Sequence, residues 1–458
     1  MRSPNGRPYA RVDALALVLL YLLAATVNLL SVRAVAPSLV LMGEEMSVSI
    51  RDVLFSVEQH AQASVWSTNF GAPVYYWVAS HLDPSYSLFS ARRWKALAMA
   101  LAAPLAYLAA TRRLGCGRAA GVLAGLVAAL LPGIAMFGWV ATENGLELVA
   151  GAAGLLLATS RRRFWPAAPL LGGVAVTTYT SGLAWAGVIT LVCVLRAVGS
   201  GGRERVAVLL ALVGAAGIVV FPRLWWVAGP RRLVAGGGTV DGRVFGNAGN
   251  LVEQLALSGK SYYFFGDQPA FGSAALACAI AVAAVVCAVT RWRAAWPWLL
   301  VAAATVVLWL PAGNVPGVRR AIALSLVAAL VLAVTVDEGL RRLPSPARWA
   351  GFGLVAALLC VPLAISTVSW QQSYSSGHRT LVADFRIAPG PMPATFARWD
   401  AELRAGTTTP ARMAARDDGL RTLAVVWLLA DRQGRGTRGL PTPAQIVAVT
   451  DPAQPATN

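Results

Sequence analysis

The chain has 458 residues, of which 57% are hydrophobic and only 13% charged, with a mean hydropathy of +0.60. Ordinary soluble domains carry roughly 25% charged residues, so this composition excludes a soluble globular protein and points to an integral membrane protein. The net charge of +18, from 39 Lys and Arg against 21 Asp and Glu, fits loop arginines attracted to anionic lipid and not a nucleic-acid-binding surface.

In chain order, apolar runs suited to helices across a ~30 Å hydrocarbon core recur about eleven times. The expected fold is therefore an all-α polytopic membrane protein and not a β-barrel. The first span, Asp13–Ala34, follows a basic stretch from Met1 to Arg11. It is long for a signal peptide and lacks a small-residue cleavage site, so it reads as an uncleaved helix. A long polar interruption, 35–93, comes next. Trp94–Thr111, Ala119–Trp139 and Leu146–Ser160 form spans two to four, the last two joined by Thr142-Glu143-Asn144-Gly145. Spans five and six, Phe164–Thr178 and Leu183–Leu195, turn at Tyr179-Thr180-Ser181-Gly182. Span seven, Val206–Val227, opens into a second polar loop, 228–269. Ala270–Thr290, Ala294–Leu310, Arg319–Val336 and Trp349–Trp370 complete the set, dividing the chain into a membrane domain, 1–370, and a C-terminal region, 371–458. Apolar runs at Thr422–Ala430 and Ile446–Val449 make a small extracytoplasmic domain of that region, with a disordered end from Asp451.

Orientation follows from the arginines. With the N-terminus cytoplasmic and spans alternating, the clusters at 112–118, 161–163, 196–205, 291–293 and 341–348 all fall inside. The loops 35–93 and 228–269, the links at 141–145, 179–182 and 311–320, and the tail then lie outside. Arg231, Arg232, Arg319 and Arg320 break the rule. An outside Arg pair at a span boundary either snorkels onto lipid phosphates or holds a ligand, and its forked donors suit phosphate.

The outer links carry the candidate chemistry. Glu44 and Glu45 head the first loop, ahead of a stretch, Glu45–Gln59, with the apolar spacing of a surface-lying amphipathic helix. A carboxylate at the edge of a low-dielectric site serves as general base or metal ligand; the plainer reading is an acidic helix N-terminus. Glu143 and Glu147 are spaced i, i+4, which on one helix gives one face at the outer mouth, either as a site or as an acid paired with a nearby Arg. The Tyr179–Gly182 turn either lines a cavity or is a plain connection. Gly236–Gly238 and Gly259-Lys260-Ser261 do not make a phosphate-binding P-loop, and 228–269 reads as a flexible outer loop in which Lys260 is placed to touch a ligand. The five cysteines have no metal-ligand spacing and read as packing residues, and the three histidines are too scattered for a metal site.

Several of these pieces together resemble the GT-C membrane glycosyltransferases, in the branch of protein O-mannosyltransferases and lipid A aminoarabinose transferases. They are the first-loop acid, Phe70-Gly71-x-Pro73-x-Tyr75-x-Trp77, Arg92 with alanines four and eight residues on, Leu131-Pro132-Gly133 leading to Glu143, Thr178-Tyr179-Thr180, and Arg319-Arg320-Ala321-Ile322-Ala323. The similarity spans roughly residues 13–340. It implies an enzyme that takes a hexosyl or pentosyl group from a polyprenyl-phosphate carrier and passes it to a glycan, lipid or protein acceptor on the outer face of a bacterial cell membrane. Glu44 or Glu45 inherits the role of base or metal ligand, Glu143 that of the second-link acid, and Arg319 or Arg320 that of holding the carrier phosphate. Some relatives use a divalent cation such as Mg or Mn and others none. Glu-Glu stands here where the family usually has Asp-Glu. Two other readings compete: a diphosphate-carrier ligase or polymerase of surface polysaccharide, which usually has a large late outer loop, and a transporter or flippase, which predicts internal repeats and polar residues deep within spans.

Overall fold

The computed structural model describes residues 6–35, 88–138, 145–161, 163–179, 181–228, 244–257, 269–309, 321–375, 401–402 and 405–407. The regular elements among them are all helical. They are α1 (Gly6–Val35), α2 (Leu88–Met99), α3 (Ala102–Arg112), α4 (Arg118–Leu130), α5 (Leu146–Ala158), α6 (Ala168–Thr178), α7 (Gly182–Val198), α8 (Gly202–Ala228), α9 (Val244–Val252), α10 (Ala274–Trp309), α11 (Ile322–Arg341) and α12 (Ser345–Ser375). Among the described residues five stretches are long and apolar enough to cross a bilayer: Arg11–Ala34, Arg92–Arg112, Ala274–Leu308, Ile322–Arg341 and Ser345–Ser369. Shorter apolar helices, including α4, α5 and α7, pack among them.

The helices match the sequence periodicity closely, with three instructive differences. The run Arg92–Arg112 is broken at Ala100–Leu101, where turns replace regular helix before Pro104. Spans eight and nine are two helices that meet directly across a kink at Arg291 (φ −133°, ψ 26°), without the short link expected between them; α10 denotes the two together. The supposedly flexible loop 228–269 contains α9, extended by one π-helical stretch, Glu253–Leu257. Its Leu251 and Leu255, four apart on one face, are buried, a helical pattern that the surrounding glycines obscure.

The centre of the molecule is α11, buried along most of its length and packed against α4, α10, α3 and α12. Twenty residues at 1.5 Å each give about 30 Å, one bilayer core, so an inward-facing helix here is lined by protein where a peripheral one meets lipid. The peripheral helices expose what a soluble protein would hide: Leu15, Leu19 and Leu22 on α1, Leu209 and Leu210 on α8, and Leu354, Leu358 and Ile365 on α12. Hydrophobic transfer does not drive helices together in lipid, so close packing of small residues must do so. Gly125 of α4 seats against Leu20 and the Ala103 carbonyl, and Gly151 of α5 lies against the Trp185 indole, leaving no room for a β-carbon. Trp185 and Trp298 are both fully buried and meet edge to face at 6.2 Å, tying α7 to α10.

The arginine clusters converge on one end of the bundle, but many do not simply face lipid. Two carboxylates, which sequence reasoning passed over, organise them. Asp13 accepts hydrogen bonds from Tyr107 Oη (2.8 Å), Arg118 Nε (2.7 Å) and Arg112, tying α1 to α3 and α4. Asp337 accepts from the Gly117 backbone N–H (2.9 Å), Arg291 Nη2 (2.7 Å) and Arg341 Nη2 (2.8 Å), while Glu338 accepts from Arg291 Nε. Arg291 also donates to the Leu114 carbonyl, so its non-helical backbone puts a guanidinium where it bridges α11 and the α3–α4 turn. Arg196 donates to the Ala158 and Ser160 carbonyls at the end of α5 and stacks on Trp165 at 4.2 Å. Cys116, Cys193 and Cys287 are buried in this packing and Cys360 partly so; Cys278 is exposed on α10, which corrects the packing reading for that residue.

Arg291 and Asp337 are each only 9% exposed at the side chain, so removing one strands the other in a low-dielectric site. Asp337→Ala is therefore expected to destabilise the protein by about 3–5 kcal/mol in detergent unfolding, whereas Arg342→Ala at an exposed position changes stability by no more than about 0.5 kcal/mol. Equal effects of the two substitutions would contradict the hub role of Asp337.

Candidate functional site

At the end of the bundle opposite the arginines, those predicted motifs that lie among the described residues come together. Three elements build the site. The first is the start of α2, where Arg92 and Lys95 are both fully buried. The second is the entry to α5. Gly145 has φ +100°, a left-handed conformation that glycine adopts without strain, and it turns the chain into the helix beginning at Leu146. A β-carbon there would press on the Met99 thioether at 3.0–3.1 Å and on Ile322 Cδ1 at 3.2 Å, so Gly145 lets α2, α5 and α11 meet. The third is the α6–α7 turn, closed by the Gly182 N–H bonding to the Tyr179 carbonyl at 2.9 Å.

Glu147 is the knot of the site and is completely buried. Its Oε1 accepts from Ser181 Oγ at 2.7 Å and its Oε2 from the Gly145 backbone N–H at 2.7 Å. The Lys95 ammonium interacts electrostatically with the same carboxylate. Position in the first turn of α5 adds the favourable end of the helix dipole. Hydrogen bonds to both oxygens and a nearby cation are what a carboxylate needs to stay within an apolar bundle. Its hydrogen bonds thus come from the α6–α7 turn and from the entry to its own helix.

A second layer surrounds this knot. Gly133 of the Leu131-Pro132-Gly133 motif donates its N–H to the Ala270 carbonyl (2.8 Å) and has the Ser325 hydroxyl of α11 pressed against its α-carbon. Ala270 and Phe271 in turn bond back to the Gln254 and Leu255 carbonyls (both 2.9 Å), which anchors the end of the second long loop beside α4. Asn28 of α1 donates to the Ala96 carbonyl of α2 (3.1 Å), and Thr367 of α12 to the Leu130 carbonyl (3.0 Å). The described elements that carry motif residues are thus tied to their neighbours by polar contacts.

Of the predicted site residues, Glu147 sits in this knot and Tyr179 lies half-buried at the turn beside it. Glu44, Glu45, Glu143, Lys260, Arg319 and Arg320 lie outside the described residues, as do the amphipathic stretch Glu45–Gln59 and nearly all of the C-terminal region. The helix that carries Glu147 begins at Leu146, directly after the left-handed Gly145. Sequence reasoning missed Lys95 and Ser181 as partners of Glu147. The available signal was a lysine within a span, since such a charge in the membrane must find a counter-charge. Among the described residues no three His, Cys, Asp or Glu side chains gather as a metal site.

No family model and no curated relative matches the sequence. A solved structure does match: ArnT from Cupriavidus metallidurans, crystallised with undecaprenyl phosphate bound, superposes with a TM-score of 0.53 at 16% identity, over 82% of this chain and 79% of that one. The chain thus shares the fold of that protein.

Ser181→Ala removes one donor to a buried carboxylate and is expected to cost about 1–3 kcal/mol. Glu147→Gln is expected to cost more. It offers one acceptor oxygen where two donors now bond, although the Ser181 hydroxyl can turn to accept from the new amide. Thermal unfolding of the purified variants in one detergent checks the order; a glutamine variant as stable as wild type would contradict the hydrogen-bonded knot.

Proposed function

We propose that this protein is a polyprenyl-phosphate-sugar-dependent glycosyltransferase of a bacterial inner membrane, acting on its outer face. The observation that carries the reading is the fold it shares with an undecaprenyl-phosphate-bound transferase. The convergence of the motif-bearing segments on one end of the bundle supports it. Ile322 and Gly145, brought together there, directly follow in sequence the stretches that carry Arg319-Arg320 and Glu143.

The chemistry asks for two things: a base for the acceptor hydroxyl and cationic stabilisation of the departing phosphate. In this reading Glu44 or Glu45 takes the acceptor proton, and the acceptor oxygen attacks the anomeric carbon as its bond to the carrier phosphate breaks. Arg319 and Arg320 grip that phosphate, and the carrier leaves as the polyprenyl phosphate anion. Glu143 serves the sugar or acceptor. Glu147 is a positioning residue: by holding Lys95 and Ser181 it fixes the wall from which Arg92 and Lys95 supply positive potential towards the carrier. Tyr179 and Lys260 complete the substrate contacts. A divalent cation, Mg or Mn, would belong with the first-loop acids, where it would screen carboxylate and phosphate charge; the sugar, hexosyl or pentosyl, and the acceptor, a glycan, lipid or protein, are set by groups in the same loops.

Turnover of a panel of polyprenyl-phosphate sugars by purified protein tests this, with and without added divalent metal. One of Glu44→Gln and Glu45→Gln is expected to lower kcat by at least about 100-fold, the range of a lost general base, while binding of the carrier persists. Arg320→Ala is expected to raise KM for the donor, and Glu143→Gln to depress turnover less than the first-loop change. Consumption of no donor by a folded wild type would overturn the proposal, and so would full activity in all four variants.

A further inference from the structure

The arginine-rich end carries a second feature which the transferase reading does not use. Between α1, α3, α5, α7 and α10 a cleft of about 1400 Å³ opens at that end. It exceeds the roughly 300–1,000 Å³ of pockets that hold drug-sized molecules. Its deep walls are apolar, with Leu108, Leu156, Leu157 and Trp296 among them. Its mouth is cationic: Arg112, Arg113, Arg161, Arg196 and Arg293 line it, with Thr159 and Ser160 between them and Asp13 as the one carboxylate.

The charges divide into two sets. Asp13 is already saturated, holding Tyr107, Arg112 and Arg118, and Arg196 is committed to the carbonyls that end α5. Of the cleft's arginines, Arg112 and Arg196 are therefore parts of the scaffold, fixed and still cationic. Arg161 and Arg293 stand exposed on opposite sides of the mouth, one beyond α5 and the other just past the Arg291 break in α10. A fixed cationic rim over an apolar slot between helices matches an amphiphile with an anionic head and long apolar tails. It sits at the end where positive charge concentrates, which by the positive-inside rule is the cytoplasmic leaflet.

We propose that this cleft is a binding site for an anionic diacyl phospholipid of the cytoplasmic leaflet, with its phosphate at Arg161, Arg293 and the Ser160 side of the rim and its chains against Leu108, Leu157 and Trp296. The occupied site joins the helix pair α5–α7 to α10 from the inside, so lipid is a structural component of the inner half of the bundle. The proposal is independent of what the opposite end catalyses.

Titration of the purified full chain with phosphatidylglycerol, read as bound-lipid adducts by native mass spectrometry, tests it. The double variant Arg161→Ala/Arg293→Ala leaves the Asp13 and Asp337 hubs intact and is expected to weaken binding about 25-fold, roughly fivefold for each basic side chain withdrawn from an anionic lipid. The control Arg203→Ala/Arg342→Ala, equally exposed but away from the cleft, is expected to bind as wild type. Leu157→Trp, which fills the slot and spares the rim, is expected to weaken binding too, and inorganic phosphate at equal concentration to displace nothing. Undiminished binding by the cleft variant, or equal loss in the control, would overturn the site. Displacement by inorganic phosphate would reduce it to a free-anion site, and tighter binding of undecaprenyl phosphate at the same residues would replace the phospholipid with the carrier.

Discussion

Charge buried in an apolar bundle must be paired within the protein, and this constraint shapes both ends of the molecule. An isolated ion there costs several kcal/mol, whereas a carboxylate with donors on both oxygens and a cation beside it can be accommodated. Asp13 and Asp337 meet the requirement at one end with arginines and a backbone N–H. Glu147 meets it at the other with Ser181, the Gly145 N–H and Lys95. Between them the helices are held by small-residue contacts and the Trp185–Trp298 pair.

The two ends are built differently, and the difference bears on function. At the arginine-rich end the ion pairs cross between elements far apart in sequence: Asp13 reaches Arg118, and Asp337 reaches Gly117. Such links lock helices against sliding. At the opposite end the described polar contacts gather around Glu147, at the entry to α5 and the α6–α7 turn. Glu147 shapes the floor of that end, while the acids and arginines proposed to touch substrate belong to the polar stretches between the apolar runs. A rigid floor beneath loop-borne reactive groups is a common arrangement for enzymes, since loops vary in chemistry while the scaffold sets their position.

The fold was largely legible in the sequence because apolar run length and arginine placement are the two strongest signals a membrane protein carries. The helix limits of α5, α6 and α11 lie close to the apolar stretches that predict them. The candidate site was legible only in part. Glu147 stood out because a carboxylate in a span is costly, but its partners did not: Ser181 lies thirty-four residues on in a turn that reads as an ordinary connection, and Lys95 sits beside the more conspicuous Arg92. Asp13 and Asp337 were hidden for the same reason, since each looks like a lone charge at a span end until the arginine clusters are brought to one place. Spacing also says nothing of the left-handed Gly145, after which the helix carrying Glu147 begins.

The central claim is that a polyprenyl phosphate carrier binds at the Glu147 end. Photocrosslinking with an undecaprenyl phosphate analogue carrying a reactive group near its phosphate, followed by peptide mapping, addresses this directly. The account predicts labelled peptides from the start of α2, the entry to α5 and the stretch before Ile322, with labelling suppressed by excess undecaprenyl phosphate. Labels confined to the arginine-lined cleft, or spread without competition over the lipid-facing surfaces of α1, α8 and α12, would contradict it.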